Sequence, residues 1–257
     1  MSELWWVSLL AGTGAILTFF SGFGLGTIML PVFSVFYPLE VAIAMTAIVH
    51  LVNNLFKLIL MVRYANWRII ARFGIPSLPL AALGAFLLNN LSELGIIGHW
   101  GWASENFTIS WIGVIIGLLM IFFALVDVLP IFKNVSISRG WIPIGGALSG
   151  FFGGLTGHQG AFRSAFLIKT GMEKRTFIAT GVVIACGIDL LRLSIYQKDP
   201  IKAISMETAP LLLPCLAAIV GSIAGNYLLS KVTLKFIQYA VGIMLIFIGI
   251  GISLGLI

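Results

Sequence analysis

Polar and ionisable side chains recur inside a long apolar segment in the first third of the chain. Between positions 41 and 62, five of them are spaced at i, i+4, i+7, i+8 and i+11, which places them along one face of a helix: Thr46, His50, Asn53, Asn54 and Lys57. Ionisable groups are costly in hydrocarbon, so each is a candidate for binding or transport. This polar stripe indicates a pathway for a solute through the membrane. The alternative is a set of interhelical hydrogen bonds, with Lys57 reaching toward the cytoplasmic interface.

A second polar group surrounds a glycine-rich segment in the second half. His158 and Gln159 lie between Gly157 and Gly160, and Arg163 follows three residues later. If a half-helix begins at Gly160, its free N–H groups and its positive dipole end point into the membrane. Together with an imidazole, an amide and a guanidinium that can grip an oxyanion in bidentate fashion, this predicts an anion site. The alternative is that Arg163 pairs with a buried acid and His158 packs as a neutral core residue.

The first half contains a comparable glycine cluster without charge. Segment 21–27 holds three glycines, and the backbone N–H groups of Leu25, Gly26 and Thr27 are the predicted counterpart donors. Glycine weakens a helix by about 1 kcal/mol relative to alanine. Both clusters are therefore predicted to break a helix in mid-membrane, where the freed backbone groups must face protein or a wet cavity.

A third polar face lies in the segment 176–196. Asp189, Arg192 and Tyr196 are spaced at i, i+3 and i+7 and share one side of a helix. The pair formed by Asp189 and Arg192 has two interpretations: a structural ion pair near the outer end of the helix, or a gate or proton-linked pair.

The amino-acid composition indicates that these residues are carried by membrane-spanning helices. Of 257 residues, 60% are hydrophobic and 9% charged, whereas soluble domains carry about 25% charged residues. A water-soluble enzyme, a nucleic-acid binder and a disordered chain are excluded, and the net charge of +6 is attributed to cytoplasmic loops. Six apolar stretches are long enough to span a bilayer: 41–62, 73–90, 110–128, 176–196, 208–229 and 236–256. Shorter stretches flank each glycine cluster.

The order of these stretches indicates an internal repeat. Residues 26–49 align without gaps on 160–183, so repeat one covers about 4–128 and repeat two about 141–257. The arginine-rich loop 63–72 is predicted to be cytoplasmic, and loop 91–109, without Lys or Arg, to lie outside. Counting membrane crossings from these loops gives the two halves opposite orientations in the membrane and places the C-terminus outside. Inverted repeats with broken helices are typical of secondary transporters. The alternative is that the halves match only because membrane helices look alike.

Two short motifs resemble the TauE/SafE family of sulfite and organosulfonate exporters. Ser21-Gly22-Phe23-Gly24-Leu25-Gly26, followed by Pro31 and Ala44-Met45-Thr46, recurs as Ser149-Gly150-Phe151-Phe152-Gly153-Gly154, followed by Ala179-Thr180-Gly181. Many members carry three glycines and a proline where this chain has Gly157-His158-Gln159-Gly160 and Ala165. The resemblance implies an inner-membrane secondary carrier of sulfite, a sulfonate or another small organic anion. It implies neither enzyme activity nor a cofactor.

We therefore predict an all-α, single-domain membrane protein over residues 1–257 that exports a small anion by alternating access. Its expected partners are the anion and the lipid bilayer, with no nucleic acid and with a homodimer left open. Two other functions compete with this one. One is a passive anion channel. The other is a membrane enzyme acting on a lipid-linked phosphate, which is disfavoured because neither Asp nor Glu occurs within ten residues of Gly24 or Gly157.

Overall fold

The computed structural model describes residues 2–21, 24–102, 105–129, 139–196, 209–227 and 234–257. Helices dominate these ranges, as the apolar composition predicts. They are α1 (Ser2–Ser21), α2 (Leu25–Ser34), α3 (Leu39–Met61), α4 (Trp67–Glu93), α5 (Trp111–Val128), α6 (Ile142–Thr156), α7 (Gly160–Leu167), α8 (Lys174–Ile195), α9 (Ala209–Tyr227) and α10 (Leu234–Ser253). A π-helical segment at Ile70–Gly74 interrupts the regular hydrogen bonding of α4.

Three helices within the described ranges are long and apolar enough to cross a membrane: Leu39–Tyr64, Trp67–Glu93 and Lys174–Ile195. They correspond to three of the six predicted spans. The other three predicted spans are also apolar helices, but they are shorter over the residues described. The fold is therefore that of a helical membrane protein.

A small antiparallel sheet departs from the all-α prediction. Strand β1 (Ile96–Trp102) pairs with β2 (Glu105–Ser110) where the sequence analysis expected a plain loop. The segment is rich in β-branched and aromatic residues, which favour strands. The indole Nε1 of Trp100 donates to the carbonyl of Leu254 at 2.8 Å, so the hairpin is attached to the end of α10.

Both predicted helix breaks are present, and at each of them the chain folds back on itself. A Cβ added to Gly14 would lie 3.1 Å from the Leu25 side chain, which means that α2 returns along α1. In the same way, a Cβ on Gly145 would collide with the ring of Phe166, so α7 returns along α6. Each half of the chain thus begins with a helical hairpin whose tip is a glycine segment.

Long helices pack against each other across the two halves. Helices α3 and α8 are antiparallel, because His50 in the middle of α3 lies beside Asp189, while Tyr64 after α3 lies beside Arg175 near the start of α8. Helices α5 and α10 are also antiparallel, because Gly113 contacts Ile252 while Gly242 contacts Val128. In contrast, α1 runs parallel to α9 and α4 runs parallel to α6.

The parallel packing of α4 and α6 depends on a ridge of glycines. The members of this ridge are spaced four residues apart on α6, and each faces a backbone carbonyl of α4: Gly146 faces Phe73, Gly150 faces Ser77 and Gly154 faces Ala81. A Cβ at any of these positions would collide with the facing carbonyl oxygen. Small residues at this spacing let helix backbones approach closely within a membrane.

Candidate anion-binding site

Asp189 lies at the centre of a buried polar cluster built from α3, α8 and the residue before α7. Its Oδ2 lies 2.6 Å from His50 Nδ1 and accepts from Asn54 Nδ2 at 3.3 Å. Its Oδ1 pairs with Arg192 Nη2 at 2.9 Å and accepts from Gln159 Nε2 at 3.0 Å. All five side chains are buried. Oδ2 therefore has two nitrogen neighbours, and Oδ1 has one hydrogen-bond donor and one cation, which together compensate the buried charge.

A second cation is attached to this cluster through Gln159. The guanidinium of Arg163 donates from Nη1 to Gln159 Oε1 at 3.1 Å, while the amide nitrogen of Gln159 donates to Asp189. Arg163 is 8% exposed and makes no ion pair with a carboxylate of the described residues. The link fixes the direction of its guanidinium without neutralising the charge.

Lys57 is the third buried cation. Its ammonium Nζ donates to the amide oxygen of Asn53 at 3.1 Å. The amide nitrogen of Asn53 in turn donates to Ser222 Oγ at 2.5 Å, so that both polar atoms of this amide are hydrogen-bonded. The ammonium also lies 5.1 Å from the centre of the Phe19 ring. Lys57 is 4% exposed, so within this structure the side chain stays inside the protein instead of extending to the interface.

The two cations Lys57 and Arg163 face a common cavity. Its volume is ≈ 30 Å³, counted as the space that the centre of a water molecule can occupy, which is more than one water needs. His50, Asn54 and Thr18 are the other polar residues of the wall, and the rest of the wall is apolar. Among the described residues, no carboxylate lines the cavity.

The cavity also reaches the glycine segment before α2. The lining residues there are Gly24 and Leu25, so Leu25 is the one of the three predicted donor residues that borders the cavity. The N–H of Thr27 donates to the carbonyl of Gly24 at 3.1 Å, as the first turn of α2 forms. The N-terminus of α2 therefore borders the cavity and contributes a positive dipole end to the site.

Not all the predicted site residues reach this cavity. Gln159 lies behind it as the link described above, and Gly160 is the first residue of α7. Asn53 points toward α9 and Ser222. His158 stacks on the ring of Phe123, with ring centres 5.0 Å apart and planes 3° from parallel. The predicted polar side chains that line the cavity are therefore four: His50, Asn54, Lys57 and Arg163.

The hydrogen bonding of His158 defines its tautomer. The hydroxyl of Thr156 donates to the carbonyl of Phe152 at 3.1 Å, so its oxygen is left to accept. His158 Nδ1 lies 3.0 Å from that oxygen and therefore carries the hydrogen. His158 thus packs in an aromatic environment, with its Nδ1–H directed at Thr156.

The two glycine segments meet beside the polar cluster. A Cβ on Gly26 would lie 3.6 Å from the carbonyl oxygen of Gly157. A Cβ on Gly24 would lie 2.9 Å from His50 Nε2, and one on Gly157 would lie 2.6 Å from Arg192 Nη1. Sequence reasoning assigned Gly24 and Gly157 only to helix breaking, and Gly26 also to anion binding through its N–H. Their second role, which is to let a buried imidazole and a buried guanidinium approach the backbone, needed the distances between helices.

Tyr196 caps helix α6 near the tip of the second hairpin. Its hydroxyl donates to the carbonyl of Gly154 at 2.7 Å, and both groups are buried. Carbonyls in the last turn of a helix have no partner within the helix. The end of α8 therefore caps the end of α6 beside Arg192.

The polar side chains around the cavity are donors and cations. Across the described ranges, no three His, Cys, Asp or Glu side chains come together as a metal ion would require. Two buried cations, an imidazole and an amide donor surround the cavity instead.

Comparison with known proteins agrees with a transport role. The family model described as "Sulfite exporter TauE/SafE" matches residues 7–252, nearly the whole chain. A search of curated proteins and a search of solved structures each found no match.

Proposed function

Because the chain belongs to the sulfite exporter TauE/SafE family, we propose that the cavity beside Lys57 and Arg163 is its anion-binding site. Membership makes the protein a membrane transporter of sulfite or related anions. The proposed substrates are sulfite, an organosulfonate or a related organic anion.

The observation that carries this proposal is a surplus of buried positive charge. Three cations, Lys57, Arg163 and Arg192, lie within the cluster, and among the described residues Asp189 is the one carboxylate that pairs with any of them. Lys57 and Arg163 therefore have hydrogen-bond partners but no carboxylate partner among these residues. An uncompensated charge inside a membrane protein is expensive, and an anion in the cavity removes that cost.

The donors also suit an oxyanion. Arg163 offers a planar fork of N–H groups, Lys57 a point charge, and Asn54 an amide, while the N-terminus of α2 supplies its dipole. Three sulfonate or sulfite oxygens can be reached from these different directions. The apolar part of the wall provides a surface for the carbon chain of an organosulfonate.

The packing of the two halves supports inverted repeats and alternating access. A two-fold axis in the membrane plane reverses the direction of every helix that it relates. Under the proposed repeat, α8 is the counterpart of α3 and α10 the counterpart of α5, and both pairs are antiparallel. The proposed site lies at the contact of α3 and α8, about which the halves 4–128 and 141–257 would move.

Export across the inner membrane is the proposed direction. Each elementary charge that crosses is worth about 2.3 kcal/mol per 100 mV, so an inside-negative potential expels an anion. The C-terminus on the outer side remains a prediction from the loop charges.

Binding and flux experiments test the site. Purified protein would be heated with sulfite, sulfate, thiosulfate, sulfoacetate, taurine or acetate. An anion held at 100 times its dissociation constant stabilises the folded state by about 2.7 kcal/mol. The shift should disappear in Arg163→Ala and persist in Arg72→Ala, which removes an exposed arginine of α4. Equal shifts of the unfolding temperature in the two variants would refute the site. In a separate flux measurement, an anion flux that never saturates with concentration would favour a channel.

A further inference from the structure

His50 presents one ring nitrogen to Asp189 and the other to the cavity. Nδ1 lies 2.6 Å from Asp189 Oδ2, and the same carboxylate pairs with Arg192, so it is ionised and Nδ1 carries the hydrogen. Nε2 is therefore the nitrogen that can gain a proton. It lies beside the bare Cα of Gly24 and 3.3 Å from Asn54 Nδ2, at the wall of the proposed anion site.

We propose that His50 takes up a proton when an anion enters the cavity, and that the proton and the anion cross the membrane together. This inference rests on the proposed anion site. The proton comes from water on the side where the anion enters, occupies Nε2, and returns to water on the side where the anion leaves. Asp189 keeps the ring oriented throughout and does not itself gain the proton.

The charges around His50 supply the coupling. They come from three helices: Lys57 on α3, Arg163 on α7, and Asp189 and Arg192 on α8. The parts of α1 and α2 that border the cavity add no ionisable side chain. In the empty cavity, three cations against one carboxylate oppose a further positive charge on the ring. A bound anion removes part of that opposition, and by linkage a protonated ring strengthens anion binding to the same extent.

The net charge that crosses follows from this coupling. A dianion accompanied by one proton still moves one negative charge, so an inside-negative potential continues to drive export. A monoanion accompanied by one proton crosses without net charge. The response of transport to membrane potential therefore depends on whether the proton travels with the anion.

The test counts protons per anion in vesicles that contain the full-length protein. Sulfoacetate is the probe, because its carboxylate and sulfonate groups carry no proton of their own near pH 7. Labelled anion and an enclosed pH-sensitive dye are followed together. We expect about one proton per anion for the unmodified protein, and a ratio lower by roughly tenfold for His50→Gln, whatever its remaining rate.

Two other histidine variants serve as comparisons. His99→Gln alters an exposed residue of β1, and the ratio should stay at that of the unmodified protein. The ratio should also stay unchanged in His158→Gln. A ratio that falls in His158→Gln and not in His50→Gln would overturn the proposal, as would sulfoacetate flux without protons in the unmodified protein.

A measurement on the unmodified protein covers the case in which His50→Gln does not fold. In detergent and weak buffer, saturating sulfoacetate should draw about one proton per site from solution. Anion binding with no proton uptake refutes the coupling while leaving the anion site intact. If the unmodified protein neither binds nor moves any anion, the proposed function fails, and the coupling fails with it.

Discussion

The guanidinium of Arg192 lies against the backbone of Gly157, at the tip of the second hairpin. A Cβ on Gly157 would be 2.6 Å from Nη1, and the φ angle of this residue is +85°. Only glycine accepts both conditions easily, since a side chain at positive φ is strained and this position also has no space for one. The same guanidinium pairs with Asp189, so the hairpin tip and the polar cluster depend on each other.

Replacing Gly157 by alanine should therefore destabilise the protein in two ways. The left-handed backbone alone costs roughly 1–2 kcal/mol, and displacing Arg192 from Asp189 adds to it. Gly171→Ala is the matched control, because Gly171 has φ +72° and a Cβ placed there would meet nothing within 4 Å. Thermal unfolding in detergent should show the larger decrease for Gly157→Ala. Equal decreases would mean that the contact with Arg192 is unimportant.

The ion pair between Asp189 and Arg192 should show strong energetic coupling. Asp189→Asn leaves Arg192 as a buried cation without its carboxylate, which typically costs about 3–5 kcal/mol. The double variant Asp189→Asn/Arg192→Gln removes that charge and should be less destabilised than the sum of the single variants. Glu173→Gln, an exposed acid just before α8, should cost below about 1 kcal/mol. Additive effects of the two single variants would contradict the coupling.

The glycine ridge on α6 should not tolerate even a methyl group. Gly150→Ala would push its Cβ into the carbonyl of Ser77 and separate α4 from α6, at a cost of about 1–3 kcal/mol. Gly187→Ala, on α8, meets its nearest neighbour, Leu78, at an ordinary 3.4 Å. It should be neutral or stabilising by up to about 1 kcal/mol, because alanine favours helix. Thermal unfolding should give a lower unfolding temperature for Gly150→Ala than for Gly187→Ala. Similar unfolding temperatures would argue against close packing of α4 and α6.

The hydrogen bond from Tyr196 to Gly154 should contribute measurably to stability. Tyr196→Phe removes the donor and leaves a buried carbonyl without a partner, which costs about 1–3 kcal/mol. That corresponds to roughly 2–4 °C per kcal/mol for a chain of this size. Tyr239→Phe removes a hydroxyl from a side chain that is 49% exposed and should change stability by less than about 0.5 kcal/mol. A Tyr196→Phe protein as stable as the control would show that α6 needs no cap from α8.

Much of the candidate site could be predicted because the relevant signals are local. A period of three to four residues places His50, Asn54 and Lys57 on one helix face whatever that helix packs against. The glycine clusters indicate possible helix breaks because glycine is a poor helix former, although Gly146, Gly150 and Gly154 lie inside α6 without breaking it. The composition alone requires a membrane environment. Each of these inferences depends on neighbouring positions in the chain and not on the tertiary fold.

The sheet and the role of His158 are harder to predict from local patterns. The segment 96–110 contains strand-forming residues, but the strongly helical chain on both sides of it favours a plain loop. His158 stands next to Gln159 in sequence, yet one side chain stacks on Phe123 while the other reaches Asp189. Adjacent residues at a hairpin tip point in different directions, and only the backbone geometry shows which one faces the site.

Sequence patterns identify the type of protein, the positions of the two breaks and the set of polar groups buried in its helices. Which of those groups meet depends on tertiary packing. Asp189 has Arg192 as an obvious neighbour one turn away, but its shortest contact is with His50, 139 positions earlier in the chain. The period of a helix identifies the face that is buried. The partner of that face is set by how the helices pack, which depends on close backbone contacts at glycines throughout the chain.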